Sequence, residues 1–150
     1  MKNITLALAL IKVLIFSSLL LSLSVTTATA QSVSKQLLSE LKTFSGQAIK
    51  RDNNNITHLV FIDLWRSYEG QGDEKMIAAL PEQFLQQSQR IWLQPEINVT
   101  KAQLTEFQQY FPQVNPLVLD EKFSLMRALK IWQTPFHVLI RGNKQMFSGD

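Results

Sequence analysis

The stretch His58-Leu59-Val60-Phe61-Ile62-Asp63-Leu64-Trp65 constrains this chain more than any other. It is a nearly unbroken run of apolar, branched and aromatic residues. A polar loop with three consecutive asparagines precedes it, and a turn containing Gly70 and Gly72 follows. That length and composition fit a strand buried on both faces, which needs a neighbour on each side and helices above and below. Asp63 is the anomaly inside it.

The flanking segments supply those helices and neighbours. Leu37, Leu38, Leu41 and Phe44 recur at helical spacing in Gln31 to Phe44, which predicts an amphipathic helix ending near Gly46. Asp73 is placed to cap a helix carrying Met76, Ile77 and Leu80, and Pro81 suits the first turn of its continuation to Gln89. Arg90 to Gln94 reads as a second strand, Lys101 to Tyr110 as a helix begun by Thr100, and Pro116 to Asp120 as a short extended segment. A helix over Phe123 to Ile131 follows, stopped by Thr134-Pro135. Phe136 to Ile140 and Gln145 to Ser148 flank the turn Arg141-Gly142-Asn143-Lys144 as a hairpin. Alternation of strands and helices implies parallel pairing with right-handed crossovers, and the hairpin adds an antiparallel edge. The expected fold class is therefore α/β, a mixed sheet of about four or five strands flanked by helices.

The N-terminal segment is expected to stand apart from this domain. Lys2 and Lys12 precede an apolar stretch from Val13 to Val25, and Ala28-Thr29-Ala30 presents small residues around an intervening one. That is the layout of a cleaved secretory signal over residues 1–30, too short after Lys12 for a comfortable membrane span of roughly 20 residues. The mature chain is then 31–150, with no stable membrane anchor. Removing Lys2 and Lys12 takes the fifteen basic residues to thirteen against twelve acidic ones, a net charge of +1. No concentrated basic face remains, so nucleic acid is not an expected partner.

The chain contains no cysteine. Thiolate metal sites, lipidation on cysteine and disulfides are all excluded by composition. His58 and His137 are the only imidazoles, and no carboxylate stands at a recognisable ligand spacing from either. Each reads as a surface or strand residue, and no metal or cofactor is expected.

Three segments, in order, resemble the thioredoxin superfamily, within it the exported TlpA-like and peroxiredoxin-related branch. Val60 to Tyr68 is similar to the family's strand and the aromatic-containing turn leading into its cysteine pair. Pro116 to Asp120, with the following helix and Trp132, is similar to the segment before its proline loop. Thr134 to Lys144 resembles the Thr-Pro, strand and glycine turn that close the fold. The resemblance spans roughly residues 59–150. It implies a thioredoxin-like sheet, a cis bond before Pro135, and a groove for an extended peptide beside it. The sequence stops soon after the hairpin, where many relatives continue into a last helix, so the expectation is that this helix is absent and one sheet face less covered.

On that pattern the two redox cysteines fall on Glu69 and Gly72, and the family's Cys-x-x-Cys becomes Glu69-Gly70-Gln71-Gly72. Thiol exchange needs one thiolate to attack and a second thiol to resolve the mixed disulfide. Neither glutamate nor glycine does this, so the chain is expected to be redox-inactive. The resemblance aligns Asp63 with an acidic residue behind the cysteines. It is a weak candidate acid or base beside Glu69, or else a hydrogen-bonding residue at the strand end. Glu69 is expected just before or at the start of a helix, where an anion is stabilised, or as a contact for a cationic partner group. Trp65, Tyr68, Thr134 and Pro135, with Trp132, are candidates to line the groove. Trp65 and Trp132 taken alone also read as core, and Tyr68 as exposed.

The expected function is an exported, redox-inactive module, periplasmic in a Gram-negative cell, holding an extended peptide or an envelope protein. The alternatives are a subunit of an envelope redox or transfer assembly and a carboxylate enzyme using Asp63 and Glu69.

Overall fold

The computed structural model of the chain describes residues 33–150, so the expected signal over 1–30 lies outside the described residues. The elements in chain order are α1 (Lys35–Ser39), β1 (Ile56–Phe61), α2 (Leu64–Tyr68), α3 (Glu74–Ala78), α4 (Glu82–Gln87), β2 (Ser88–Pro95), α5 (Lys101–Tyr110), β3 (Leu117–Asp120), α6 (Ser124–Leu129), β4 (Phe136–Arg141) and β5 (Lys144–Gly149). The five strands form one mixed sheet in the order β3-β2-β1-β4-β5. β1, β2 and β3 run parallel, while β4 pairs antiparallel with β1 and β5 antiparallel with β4.

Strand β1 is central, and its side chains feed two cores by simple alternation. Leu59 and Phe61 point to one face, with Ile91, Leu93, Val118, Val138 and Ile140 beside them. Leu125, Met126 and Leu129 of α6 cover that face together with Leu38 and Leu41. Val60 points to the other face with Trp92 and Leu117, covered by Leu64, Ile77 and the Leu104 and Phe107 pair of α5. Burying a large apolar side chain contributes about 1.5–3 kcal/mol, so a strand buried on both sides is where this fold concentrates its stability.

Helix α5 has the boundaries its sequence predicts. Thr100 accepts from Gln103 N–H, and the Gln103 side chain accepts from Thr100 N–H, a reciprocal cap satisfying two otherwise orphaned donors. Helix α6 is anchored differently. Lys122 and Phe123 take positive φ values of 54° and 56°, and the carboxylate that caps the helix comes from the end of β3. Asp120, 1% exposed, accepts from Leu125 N–H at 2.8 Å, Met126 N–H at 3.0 Å and Ser124 Oγ–H at 2.9 Å.

Two predicted elements are corrected. The helix expected from Gln31 to Phe44 is helical only over Lys35–Ser39. Beyond Glu40 the backbone turns back on itself, with Lys42 bridging Ala48, Ile49 N–H reaching Leu41 C=O, and Gly46 at φ 92° making the turn. Leu38 and Leu41 are still buried, so the apolar spacing marked the core-facing residues but not the helix length. The strand expected over His58 to Trp65 runs over Ile56–Phe61 instead, and Asp63 ends the extended region by capping α2.

Asp120→Ala is expected to lower unfolding stability in urea by about 2–4 kcal/mol, because it removes hydrogen bonds to a buried charged acceptor and strands two backbone donors. Ser124→Ala, which removes one of three partners, is expected to cost about 1 kcal/mol or less.

Candidate functional site

The site forms where β1 ends. Ile62 N–H still donates to Leu93 C=O at 2.8 Å, but the next residues leave the sheet. The buried Gln94 side chain accepts from Leu64 N–H at 2.9 Å and donates to Pro95 C=O at 3.0 Å, pinning the first turn of α2 to β2. Asp63 Oδ1 accepts from Trp65 N–H at 3.0 Å as the N-cap. Helix α2 closes at Glu69, whose φ and ψ of −78° and −1° make it the C-cap. Gly70, at φ 74°, adopts the left-handed conformation that releases the chain into the next turn.

Glu69 therefore lies at the end of a helix, not at the start of one as expected. Its carboxylate is exposed and gains nothing from free N–H groups. Asp63 and Glu69 cap opposite ends of α2, about 9 Å apart along its axis at 1.5 Å per residue, and do not form a carboxylate pair.

Gly72 has a specific steric role. Ser67 Oγ–H donates to the buried Glu74 carboxylate across it. A Cβ on Gly72 would stand 2.6 Å from Ser67 Oγ and 2.8 Å from Glu74 Cδ, and closer still to Glu74 Oε2. The side-chain space that a residue at position 72 would use is filled by the Ser67–Glu74 pair.

Pro135, after a cis bond from Thr134, closes over this turn. Pro135, Ile62, Asp63, Arg66, Ser67, Gln71, Gly72 and Asp73 surround a niche of about 10 Å3, the room of roughly one water. Thr134 and Pro135 are half-buried. Of the sequence-predicted residues, the structure thus brings Asp63, Gln71, Gly72 and Pro135 together. It leaves Glu69, Gly70, Trp65 and Tyr68 outside the niche lining.

The aromatic candidates are at the surface. Trp65 is 44% exposed and Trp132 82%, so the core reading of those two tryptophans does not hold; Trp92 is the buried one. Tyr68, 43% exposed, turns toward α5. Its ring lies 6.2 Å from Trp65, 6.1 Å from Tyr110, 5.7 Å from Phe107 and 5.5 Å from Phe111, centroid to centroid.

The sequence reading missed a polar cluster centred on the two histidines. His58 on β1 and His137 on β4 project from the same sheet face, because His137 pairs with Val60 and His58 with Leu139. His58 Nε2 and His137 Nδ1 are 3.0 Å apart. Arg90 Nε, which can only donate, faces His58 Nδ1 at 3.5 Å. His58 therefore carries its proton on Nε2 and gives it to His137 Nδ1, leaving the His137 Nε2–H toward Asp73. That contact, 3.3 Å to Asp73 Oδ2, is long, and it is the ion-pair contact of an otherwise unpartnered buried oxygen. Burial, then His137, then Arg90 push the His58 pKa down to about 3. Burial also lowers that of His137, against the opposing pull of Asp73. No spacing rule in the sequence announces this cluster, since its members lie on β1, β2, β4 and the turn before α3. The one available signal was a histidine inside the most apolar strand. Both rings also line an apolar pocket of about 340 Å3 with Met76, Leu80, Phe84 and Phe147. Among the described residues no three His, Cys, Asp or Glu side chains are grouped to hold a metal ion.

This sheet order, the helices on both faces and the proline loop over the turn after β1 define a thioredoxin-like fold, in a chain that has no cysteine. Solved structures bear the fold out. StoA from Bacillus subtilis aligns over 73% of this chain and 84% of its own, with TM-score 0.55 and 21% identity. The exposed lipoprotein thioredoxin of Streptococcus pneumoniae aligns over 73% and 86%, with TM-score 0.59 and 13% identity. A secreted disulfide oxidoreductase of Mycobacterium tuberculosis aligns over 73% and 78%, with TM-score 0.51 and 15% identity. No protein-family model and no curated protein sequence matches the chain. Among the described residues no helix is long and apolar enough to cross a membrane.

Gly72→Ala is expected to destabilise the fold by about 1–3 kcal/mol in urea. The same change made in a Glu74→Ala background is expected to cost clearly less, since the colliding carboxylate is gone; equal costs in the two backgrounds would show that the two positions are not coupled. The histidine pair predicts an acid-labile fold. The folded His58 pKa lies below its unfolded value near 6.5, so the unfolded state binds more protons between the two. The stability gained from a neutral His58 is full above about pH 6.5 and is lost as pH falls toward 3, at up to about 1.4 kcal/mol per pH unit. Between pH 6.5 and 5, above most carboxylate titration, His58→Phe is expected to flatten this slope in urea unfolding.

Proposed function

We propose that this chain is an exported, redox-inactive thioredoxin-like module that binds an extended peptide or an envelope protein. The observation that carries the reading is the pairing of Pro135 with the turn at Gln71 to Asp73: the niche beside the proline loop is built, yet the chain has no thiol and the space at the second cysteine position is filled by Ser67 and Glu74. Half or more of the Trp132 ring system and large parts of Trp65 and Tyr68 face solvent near this loop or on the helix leading to it. Aromatics combine large contact area with a polar edge and few rotatable bonds, which suits recognition. Export draws support from the signal-like N-terminal sequence and from two of the similar structures, an exposed lipoprotein thioredoxin and a secreted disulfide oxidoreductase.

A second reading, a subunit of an envelope redox or transfer assembly, is favoured by one feature. The apolar pocket between the α3–α4 segment and the β4–β5 hairpin is rimmed by Met76 and Phe147, each half exposed. A patch of that kind fits a protein contact. The carboxylate-enzyme reading draws no support from the geometry, with Asp63 and Glu69 at opposite ends of α2.

The purified mature chain is expected to leave the rate of insulin reduction by dithiothreitol unchanged. Extended peptides selected against it by display are expected to bind with fluorescence anisotropy affinities that weaken about five- to tenfold in Trp132→Ala and in Tyr68→Ala, the loss of roughly 1–1.4 kcal/mol of aromatic contact. Affinities unchanged in both variants would place the binding surface elsewhere.

A further inference from the structure

We propose that Trp65, Tyr68 and Tyr110 form a receptor for a basic side chain, a lysine or arginine of the bound partner. This rests on the peptide-binding reading above and names what that partner must carry.

The three rings are 44%, 43% and 66% exposed. Tyr68 sits between the other two, tilted 40° to Trp65 and 71° to Tyr110, with centroids 6.2 and 6.1 Å away. The exposed parts of these non-parallel rings present π faces to solvent, and a cation within about 6 Å of a face is attracted by its quadrupole. The arrangement is held from behind. Phe107 is fully buried and stacks on Phe111 at 4.6 Å, and both meet Tyr68 edge-on. The rings are therefore positioned before any partner arrives, which cuts the ordering cost of binding.

The charges beside the rings select the sign. Glu106 precedes Tyr110 by one helical turn on α5, placing the two on the same face. Its carboxylate adds to burial in raising the Tyr68 hydroxyl pKa, as does Tyr110. Glu69 lies four positions after Trp65, at the end of α2, and is exposed. Neither carboxylate has an ion-pair partner among the described residues. The cations on the same two helices are otherwise placed: Arg66 of α2 lines the niche beside Pro135, and Lys101 pairs with Glu121 at the far end of α5. Two unpaired carboxylates beside three exposed rings repel an acidic group. They leave an apolar one with no charge to answer, whereas an ammonium or guanidinium answers both features.

The test uses the mature chain and one selected peptide synthesised in four forms, with lysine, arginine, norleucine or glutamate at each position in turn. Binding is followed by the fluorescence anisotropy of the labelled peptide, a readout that every variant of the chain shares. At one position, lysine and arginine are expected to bind about fivefold or more tighter than norleucine, and glutamate weakest. The preference is expected to shrink as salt rises. Glu106→Gln, an exposed change that leaves the melting temperature in place, is expected to halve the preference or more, and Trp65→Leu to abolish it. Equal binding of the lysine and norleucine forms at every position, at low salt, would overturn the receptor while leaving peptide binding intact. Failure of every form to bind at millimolar concentration would overturn both.

Discussion

The whole arrangement hangs on strand β1 being buried on both faces. A strand in that position must hydrogen-bond on both edges, because no water reaches its backbone. β2 and β4 take those edges, one parallel and one antiparallel. Once those partners are set, the chain has to leave the sheet at Ile62, under α5 on one side and beside the proline loop on the other. Gln94 from the neighbouring strand and Asp63 from the exit itself then wind the next five residues into α2. The candidate site is the consequence of how a doubly buried strand terminates.

At that terminus the turn is held by packing, with no thiol in it. The turn after α2 has a glycine release at Gly70 and lies against Pro135, and its interior is a hydroxyl–carboxylate pair against a residue with no side chain. Buried polar groups are stable only when they satisfy one another, and Ser67 and Glu74 do. A few ångströms away the pairing is looser. Asp73 has a buried oxygen whose one polar neighbour is His137 Nε2 at a long 3.3 Å, at the end of a histidine pair whose charging burial disfavours. The same short segment, residues 67 to 74, thus joins a closely hydrogen-bonded polar pair to a loosely paired one.

Much of the architecture was readable from residues alone. The hairpin followed from a glycine-containing turn between two apolar runs, and its strands are found at Phe136–Arg141 and Lys144–Gly149. Helix α5 followed from Leu104 and Phe107 behind a threonine cap, both local signals. The misreadings share one cause. Leu37, Leu41 and Phe44 keep helical spacing although the helix stops at Ser39, because apolar spacing reports burial and not backbone geometry. Asp63 looked like an interruption in a strand because nothing nearby reveals that the strand has already ended. Trp65 and Trp132 looked like core by composition, and only the surroundings show that one lies on the solvent side of a short helix and the other on an exposed loop.

What the order of residues alone established was the alternation of elements, hence a mixed sheet with helices on its faces, and the impossibility of thiol chemistry in a chain without cysteine. Those rest on local periodicity and on atomic composition, which do not depend on folding. The Arg90–His58–His137–Asp73 cluster, the Glu74 carboxylate in the space over Gly72, and the gathering of Trp65, Tyr68 and Tyr110 came into being only when the strands paired and α5 packed. Each joins residues far apart in the chain, and side-chain contacts of that kind are set by strand register and helix packing, which no short window of sequence encodes.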